Sequence, residues 1–241
     1  MQVSQVEGRN PVLEALRAGA EINKIFVQRQ SGGSLKQIYD AARQAGVVLV
    51  ETDRKSLDTL SEGRPHQGVI AQVATEEYID LEDLIARSRS CAHPLIVIAD
   101  HIEDPHNLGA ILRSSLAAGA QGAVIPKRRS AALSPAVAKA SAGASAHLPV
   151  ARVANIAQTL DKLKESGYWI IGAESGGENL FMTGLSGPLA VVVGSEDKGV
   201  SRLVREKCDV LVEIPMQGPV SSLNASVALS VVLFEIVRQR L

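Results

Sequence analysis

Three short polar segments of this chain carry the side chains whose types and spacing could do chemistry. The first holds Asn107 and Arg113, the second holds Glu196 between two glycines, and the third holds Ser222 and Asn224. Amides, hydroxyls and carboxylates can orient a polar substrate through hydrogen bonds, and arginine can bind phosphate or stabilise a developing negative charge. Each segment follows an apolar run and is followed by a predicted helix. The same residues could therefore serve only as ordinary helix starts and turns, without a chemical role.

The first segment predicts a helix start that can receive an anion. Asp104 is the expected N-cap and Pro105 the first helical residue. Asn107 then lies in the first turn, where unpaired backbone N–H groups favour an anion such as phosphate. Arg113 follows Gly109 by four positions and is expected to be unshielded on that side. The alternative is a capped helix with a surface arginine. The expected core stripe contains Leu108, Ile111, Leu112 and Ser115.

The second and third segments predict tight turns beside the ends of strands. Glycines at both ends of Gly194-Ser-Glu-Asp-Lys-Gly199 allow a close backbone approach or a positive φ. The alternative is an ordinary strand-to-helix turn in which Glu196 favours the following helix N-terminus. Asn224 could likewise serve only as the cap of the last helix.

Several common kinds of site are disfavoured. Ser195 does not stand in the G-x-S-x-G pattern of a nucleophilic serine. His101 and His106 fit no standard ligand spacing, so we expect no metal. The segment Asp100-His-Ile-Glu-Asp-Pro-His is not the glycine fingerprint G-x-G-x-x-G, which argues against a nicotinamide-dependent oxidoreductase. The basic cluster Lys127-Arg-Arg129 is either a solvated turn or a phosphate contact.

Composition predicts a soluble protein without pointing to a partner. Lys+Arg 25 against Asp+Glu 26 gives a net charge of −1 over 241 residues, so a nucleic-acid partner must be argued from motifs. A hydrophobic content of 46% supports a sizeable core, and an aromatic content of 3% makes that core aliphatic. Cys91 and Cys208 have no C-x-x-C spacing and suit a reducing compartment. With no signal peptide and no apolar run long enough for a bilayer, we expect a cytoplasmic protein.

Residues 8 to about 75 predict a small α/β unit. Pro11 is expected at the first position of one helix and Ser34 at the cap of a second, with a third near residues 56–60. The composition changes near Thr75, and a short amphipathic helix from Leu81 precedes Pro94, so we expect a linker there. The predicted strands are Ile22–Val27, Val47–Val50 and Gly68–Val73.

From Pro94 onward, apolar strands alternate with helices, which predicts an α/β fold with a parallel sheet covered on both faces. Ligands of such sheets bind at the carboxyl ends of strands, so the site is expected in the C-terminal third. Gly172–Gly177 is expected to be a loop, and the last helix has no plainly polar face, which indicates burial between layers or subunits. The expected strands are Leu95–Ala99, Ala123–Ile125, Tyr168–Gly172, Leu189–Val193 and Val210–Ile214. The expected helices are Asn107–Ala118, Pro135–Ala142, Ile156–Glu165, Ser201–Lys207 and Asn224–Arg238.

Taken together, D-x-x-x-D-P-x-N-x-G-x-x-x-R, G-S-E-x-x-G and S-S-L-N-x-S resemble the three motifs of the SpoU (TrmH-type) family of RNA ribose 2′-O-methyltransferases. The resemblance implies a ribosomal-protein-like RNA substrate-binding domain over residues 1–75 and a linker over 76–92. It implies a trefoil-knotted parallel-sheet (SPOUT) methyltransferase domain over 93–241. It further implies S-adenosyl-L-methionine as cofactor, RNA as substrate and a homodimer through the C-terminal domain, with no membrane partner.

The resemblance also implies roles for the matching residues. Carried over position by position, it assigns cofactor contacts to Gly194, Ile214 and Leu223, and catalysis and positioning to Asn107, Arg113, Glu196, Ser222 and Asn224. A guanidinium is effectively never neutral in proteins, so Arg113 is expected to stabilise the developing alkoxide of a ribose 2′-hydroxyl or to hold the adjacent phosphate. The chain departs from the family pattern at Asp197, which is usually Gly, and at Ala225, which is usually Val.

Four further segments resemble the bacterial branch of the family that methylates a guanosine ribose in 23S rRNA. They are Val6–Val12, His66–Gly68, Ile125–Ala131 and Lys139–Gly143. That branch commonly has an acidic residue where Arg128 stands. The predicted substrate is a guanosine of 23S rRNA, and two alternatives stay open: a tRNA ribose, or a non-catalytic RNA-binding or ribosome-assembly protein with the same fold.

Overall fold

The structure is a computed structural model that describes residues 5–29, 35–74, 76–220 and 222–241. The chain divides into two compact units. The first runs to Glu77 and includes Leu133–Pro135, and the second comprises Tyr78–Ala132 and Ala136–Leu241.

The first unit contains a four-stranded sheet with the strand order β1-β4-β2-β3. Strands β2 and β3 are parallel, and the other pairs are antiparallel. The sequence predicts these elements except β1, which at three residues is too short to show a period. In chain order they are β1 (Gln5–Glu7), α1 (Arg9–Arg17), β2 (Ile22–Gln28), α2 (Lys36–Gln44), β3 (Val48–Thr52), α3 (Arg54–Leu60) and β4 (Val69–Val73). The buried core includes Val12, Ile25, Ile38 and Val69.

The predicted position of Pro11 in its helix is wrong. Helix α1 begins at Arg9, so Pro11 is its third residue. Gly8 adopts a φ of 94°, and its carbonyl accepts a hydrogen bond of 3.1 Å from Val12 N, which starts the helix earlier than expected. Proline is still accommodated, because the N–H groups of the first turn have no partner within the helix. The predicted cap at Ser34 lies outside the described residues.

The second unit confirms the predicted α/β class and the parallel sheet. Its six strands have the order β10-β8-β9-β5-β6-β7, and every neighbouring pair is parallel. The helices and strands are α4 (Leu81–Arg89), β5 (Leu95–Ala99), α5 (Pro105–Ala117), β6 (Gly122–Pro126), α6 (Pro135–Ala140), β7 (Val150–Val153), α7 (Ile156–Glu165), β8 (Trp169–Asn179), β9 (Leu189–Val193), α8 (Arg202–Arg205), β10 (Val210–Glu213) and α9 (Ala225–Arg240).

Helices cover both faces of this sheet, which is why its central strands are apolar throughout. Every residue of β5, β6 and β9 is buried. Side chains of α4, α7 and α8 pack with Ile96 and Ile98 on one face. The alternate residues of β5 face the other layer, where α5 contacts α9. Helix α4, expected in the linker, therefore belongs to the second unit.

Two features of the sheet differ from the sequence-based expectation. Gly172–Gly177, expected as a loop, lies within β8, which pairs with β10 across a register shift. A Cβ at Gly177 would lie 2.5 Å from the carbonyl carbon of Leu211, so glycine permits this close approach, and pairing overrides the loop-like composition. Strand β7, which has four residues and follows Pro149 at the sheet edge, was not predicted.

The sheet order gathers several strand ends at one edge. Strand β9 lies between β8 and β5. Its carboxyl end, at Gly194, therefore lies beside the end of β5, where Asp100 N donates a 2.8 Å hydrogen bond to Val193 O. The carboxyl end of β10 lies at this edge as well. The trefoil knot stays a prediction of the family resemblance. Within the described residues, no helix combines the length and the apolar character needed to cross a membrane.

Candidate active site

The three polar segments meet in one hydrogen-bonded triad of side chains. Asn107 Nδ2 donates to Glu196 Oε1 over 2.8 Å. Asn224 Nδ2 donates to Asn107 Oδ1 over 2.9 Å and also to Glu196 Oε1. In the sequence, Glu196 and Asn224 are 28 positions apart, Asn107 and Glu196 are 89 apart, and Asn107 and Asn224 are 117 apart. Only the tertiary fold can bring these residues together.

Local helix starts hold two members of the triad in place. Asp104 caps α5 as predicted, accepting a 3.1 Å bond from His106 N, and Pro105 is the first helical residue. Asn224 caps α9 as predicted: its Oδ1 accepts from Ser226 N at 3.0 Å and from Val227 N at 3.3 Å. Because Oδ1 serves the helix, the Nδ2 group of Asn224 is available to the triad.

The loop that carries Glu196 is closed by its two glycines. Gly199 N donates to Ser195 O over 2.8 Å. A Cβ on Gly194 would lie 2.0 Å from the carbonyl carbon of Gly199, so no larger residue fits there. Gly199 has a φ of +63°, and its Cβ would lie 2.6 Å from a carboxylate oxygen of Glu174. The close approach expected from the paired glycines is therefore present.

A cavity of about 570 Å³ lies on one side of this loop. All three predicted cofactor residues, Gly194, Ile214 and Leu223, line it. Its wall is apolar at Ile214, Met216 and Leu223, and it also carries Lys198 and four acidic side chains. The acidic residues of the wall are Glu174, Glu196, Asp197 and Glu213.

A second cavity, of about 640 Å³, lies against the same loop. Its wall includes His101, Asn107 and Arg129 together with Arg202. Residues 195–199 line both cavities, and Glu196 is the triad member common to the two walls. A group bound in one cavity would thus lie across a single loop from a group bound in the other.

The structure does not bring Arg113 into this arrangement. Its side chain is exposed on α5, lines neither cavity, and has no hydrogen bond or ion pair with any residue that the structure describes. The expected core stripe of α5 is buried. Gly109 is also buried, and its Cβ would lie 2.5 Å from Ala140 Cβ. It therefore serves the packing of α5 against the end of α6, while Arg113, four positions further on, is exposed.

The other predicted residues fall near the first cavity. Ser222 lines that cavity and is exposed, and Asp197 is exposed and lines both cavities. Ser221, which belongs to the third motif, lies outside the described residues. Among the residues that the structure covers, no group of three or more His, Cys, Asp and Glu side chains could hold a metal ion.

Two carboxylates that anchor the loop were given no role from the sequence, although Asp100 begins the first motif. Asp100 is fully buried, and its Oδ2 accepts a 2.8 Å bond from Ser201 N. Glu174 Oε2 accepts a 2.8 Å bond from Val200 N. Two sequence signals could have found them: Asp100 is an acidic residue directly after an all-apolar strand, and Glu174 is a carboxylate among glycines. Both carboxylates hold the backbone where the loop returns to the sheet.

The two cysteines stay free thiols, and only one is accessible. Cys91 is exposed, and Cys208 is partly buried. Burial raises the pKa of the Cys208 thiol to about 12, which keeps it protonated and unreactive at neutral pH. Neither residue lines the cavities described above.

Comparison with known proteins agrees with the fold. Residues 94–234 match the SpoU rRNA Methylase family, and residues 5–79 match the family described as RNA 2′-O ribose methyltransferase substrate binding. The chain belongs to the SpoU methylase family, and the resemblance drawn from the three motifs is confirmed.

Relatives match the chain over its whole length. The protein YacO of Bacillus subtilis (strain 168), whose name assigns it to the TrmH family of tRNA/rRNA methyltransferases, is 45% identical over 99% of this chain and 97% of its own length. The crystal structure of the SpoU methyltransferase AviRb from Streptomyces viridochromogenes, in complex with AdoMet, is similar with a TM-score of 0.61. It is 26% identical and covers 98% of this chain and 90% of its own.

A third similar structure concerns tRNA. It concerns 2-OH methylation of C/U34 on tRNA, and it is 26% identical with a TM-score of 0.55. The similarity covers 61% of this chain and 95% of the other. Proteins whose names mention rRNA and proteins whose names mention tRNA are thus both similar to this chain.

Proposed function

We propose that this protein methylates a ribose 2′-hydroxyl in RNA with S-adenosyl-L-methionine as the methyl donor. The observation that carries the proposal is the triad of Asn107, Glu196 and Asn224, which joins the three motifs at the boundary of two cavities. One cavity suits a cofactor, and the other suits a nucleotide. The family membership of the chain supports the same reaction.

The residues of the first cavity fit S-adenosylmethionine. This cofactor has an apolar-faced adenine, a cationic sulfonium and a charged amino-acid end. Ile214 and Leu223 offer apolar contact, Gly194 leaves room for close backbone approach, and Asp197 and Glu213 offer negative charge. When bound, S-adenosylmethionine supplies a methyl group made electrophilic by a positive sulfur. Similar chains in the family are solved with AdoMet bound, which supports this assignment.

The protein's own contribution is positioning and electrostatics. Holding two reactants in line can supply roughly 7–11 kcal/mol of a barrier. Asn107, Glu196 and Asn224 form the rigid centre that would fix the ribose against the cofactor cavity, and Ser222 lies at the rim of that cavity. The carboxylate of Glu196 accepts two amide hydrogens, so it orients both asparagines.

Arg113 would act on RNA from the surface of α5. Its exposed guanidinium, with no partner among the described side chains, can hold the phosphate beside the target ribose or stabilise the developing alkoxide. The neighbouring Ser114 accepts a 2.7 Å bond from Ser230 of α9, so Arg113 directly precedes a contact between α5 and α9.

We propose that a second copy of the chain packs on α9. Val227 is 48% exposed and Phe234 is 50% exposed, and their seven-residue spacing puts them on one face of the helix. An apolar face of this kind favours burial in a homodimer, which would bring a partner subunit close to Arg113. Light scattering of Phe234→Glu should show a monomer, while wild-type protein should be a dimer; a wild-type monomer with full activity would contradict the proposal.

The proposed substrate is a guanosine of 23S rRNA. The four additional segments that resemble the 23S rRNA branch support it. The match of residues 5–79 to a substrate-binding family supports RNA recognition by the first domain, proposed to span residues 1–75. A tRNA ribose is the second candidate, supported by the names of tRNA/rRNA relatives. Either substrate agrees with the cytoplasmic location proposed from the sequence.

The experiment that tests the function uses purified protein, tritiated S-adenosylmethionine and unmodified RNA. Transcripts of 23S rRNA and tRNA are incubated separately, and the RNA is then hydrolysed with alkali. A 2′-O-methyl group blocks cleavage of its own phosphodiester, so ribose methylation gives a labelled dinucleotide. We expect the label in 23S rRNA at guanosine. Label only in tRNA would favour the second candidate, and no transfer to either RNA together with no cofactor binding would overturn the function.

A further inference from the structure

A buried carboxylate and a histidine form a pair in the wall of the second cavity. Asp100 follows β5, and its side chain has no solvent exposure. Its Oδ1 lies 2.6 Å from Nδ1 of His101, and its Oδ2 accepts a bond from Ser201 N over 2.8 Å. The carboxylate is therefore fixed on both sides. The His101 side chain is 39% exposed and lines the same cavity as Asn107 and Glu196.

This pairing determines which imidazole nitrogen is available. A carboxylate next to Nδ1 favours the form of the ring that carries its hydrogen on Nδ1, and Nε2 then has a free lone pair. No residue that the structure describes forms a hydrogen bond with Nε2 of His101. A histidine held in this way can take a proton from a group bound in the cavity, and the carboxylate stabilises the imidazolium that results.

The backbone at His101 also marks this position. His101 has a φ of 59°, in the left-handed region that residues with a Cβ rarely adopt. Strain of this kind, where surrounding contacts maintain it, is concentrated at functional sites. Here the contact between His101 and the immobile carboxylate of Asp100 holds the ring at the cavity wall.

The other charged groups of the cavity are less suited to accept a proton. Glu196 Oε1 already accepts two amide hydrogens, and Asp104 caps α5. Arg129, Lys198 and Arg202 carry positive charge and can attract RNA phosphate. The remaining carboxylates, Glu103 and Asp197, are exposed and have no bond that orients them among the described residues.

We propose that His101, oriented by Asp100, is the general base for the 2′-hydroxyl, an inference that rests on the proposed function. The O–H bond breaks and its proton moves to His101 Nε2. The 2′-oxygen forms its new bond to the methyl carbon, the carbon–sulfur bond breaks, and its electron pair stays on sulfur. The imidazolium then releases the proton to water. Arg113 keeps its separate role at the alkoxide or the phosphate.

The first test is single-turnover methylation at saturating RNA and cofactor, measured across pH. Loss of a general base typically costs about 10²–10⁴-fold. We expect His101→Gln to lose at least about a hundredfold and to lose the rise in rate with pH that deprotonation of the base gives the wild type. His93→Gln is the matched control, because His93 is exposed and precedes β5 at the opposite edge of the sheet. A His101→Gln rate within a few-fold of wild type would overturn the proposal.

A second variant keeps the result independent of folding. His101→Gly suits the positive φ and removes only the imidazole, so added imidazole should restore its rate in proportion to concentration and leave wild type unchanged. Cofactor affinity, from calorimetric titration, should stay within a few-fold of wild type. Absence of rescue with normal cofactor binding would contradict a base at this position. Absence of methyl transfer by the wild type itself would instead overturn the proposed function.

Discussion

Nδ2 of Asn224 donates a hydrogen bond of 2.9 Å to Oδ1 of Asn107, although the two residues are 117 positions apart. The same amide group also reaches Glu196, while Oδ1 of Asn224 caps the last helix. One side chain therefore starts α9 and joins two loops of the site. Substitutions at this position can separate folding from catalysis, because the oxygen serves the helix and the nitrogen serves the site.

Asn224→Asp should keep the cap of α9 but disrupt the hydrogen-bonded triad of the site. The variant retains an oxygen for Ser226 N but loses the donor to Asn107 and puts a second carboxylate beside Glu196. Misplaced reactants can cost about a hundredfold in rate, so we expect a loss on that scale in single-turnover methylation. Asn224→Ala should in addition lower the free energy of unfolding by about 1 kcal/mol.

The matched control is Asn155→Asp, because Asn155 caps α7 by accepting from Gln158 N at 3.2 Å and lines neither cavity. It should retain activity. Full activity in Asn224→Asp would show that the triad is only structural.

Gly194→Ala should impair cofactor binding. Its Cβ would lie 2.0 Å from the carbonyl carbon of Gly199, and backbone at both sides of the contact cannot rotate away as a side chain could. The loop must shift, which changes the wall of the first cavity. We expect S-adenosylmethionine affinity, measured by calorimetry, to fall at least about tenfold, the equivalent of 1.4 kcal/mol. Gly184→Ala, with no atom within 4 Å of the added Cβ, is the control that should bind normally. Unchanged affinity in Gly194→Ala would contradict the cofactor assignment.

The sequence predicts most of this fold because its central strands are fully apolar and its helices carry clear caps. Leu189–Val193 is buried on both faces, so its composition alone indicates an internal strand. The tail of β8 could not be predicted, because its glycines are typical of a loop and only pairing with β10 makes them a strand. Short β7 shows no period.

The candidate site was predictable residue by residue but not as a network. Asn107, Glu196 and Asn224 stand in recognisable motifs, whereas their mutual hydrogen bonds depend on the sheet order. Asp100 and Glu174 bind the N–H groups of Ser201 and Val200, and no local pattern indicates that the chain returns to them.

Acid should weaken the hydrogen bonds that Glu235 accepts within the last helix. Hydrogen bonds from Arg238 and then from Gln239 lower the pKa of Glu235 from 4.5 to about 2. A carboxyl whose folded pKa is depressed stabilises the fold above its unfolded pKa, and that contribution is lost as pH falls through the folded pKa. Thermal unfolding should therefore show a decline between pH 4.5 and about 2 that is smaller in Glu235→Gln. Identical slopes for both proteins would contradict this role.

Arg113→Ala should separate catalysis from folding. If Arg113 acts on the ribose or its phosphate, cofactor affinity should stay within a few-fold while turnover falls by at least about a hundredfold. Arg113→Lys keeps the charge but loses the planar fork, so it should stay impaired. A merely solvated arginine would change stability by less than about 0.5 kcal/mol and leave turnover unaltered. Single-turnover methylation at saturating RNA and cofactor distinguishes these outcomes.

The most direct test of ribose methylation is mass-spectrometric mapping of 2′-O-methyl groups in rRNA and tRNA from a strain that lacks this gene. The account predicts that one guanosine of 23S rRNA loses its ribose methyl group in the deletion strain. A plasmid with the wild-type gene should restore it, and a plasmid with Arg113→Ala should not. An unchanged set of ribose methyl groups in every RNA of the deletion strain would contradict the proposed activity.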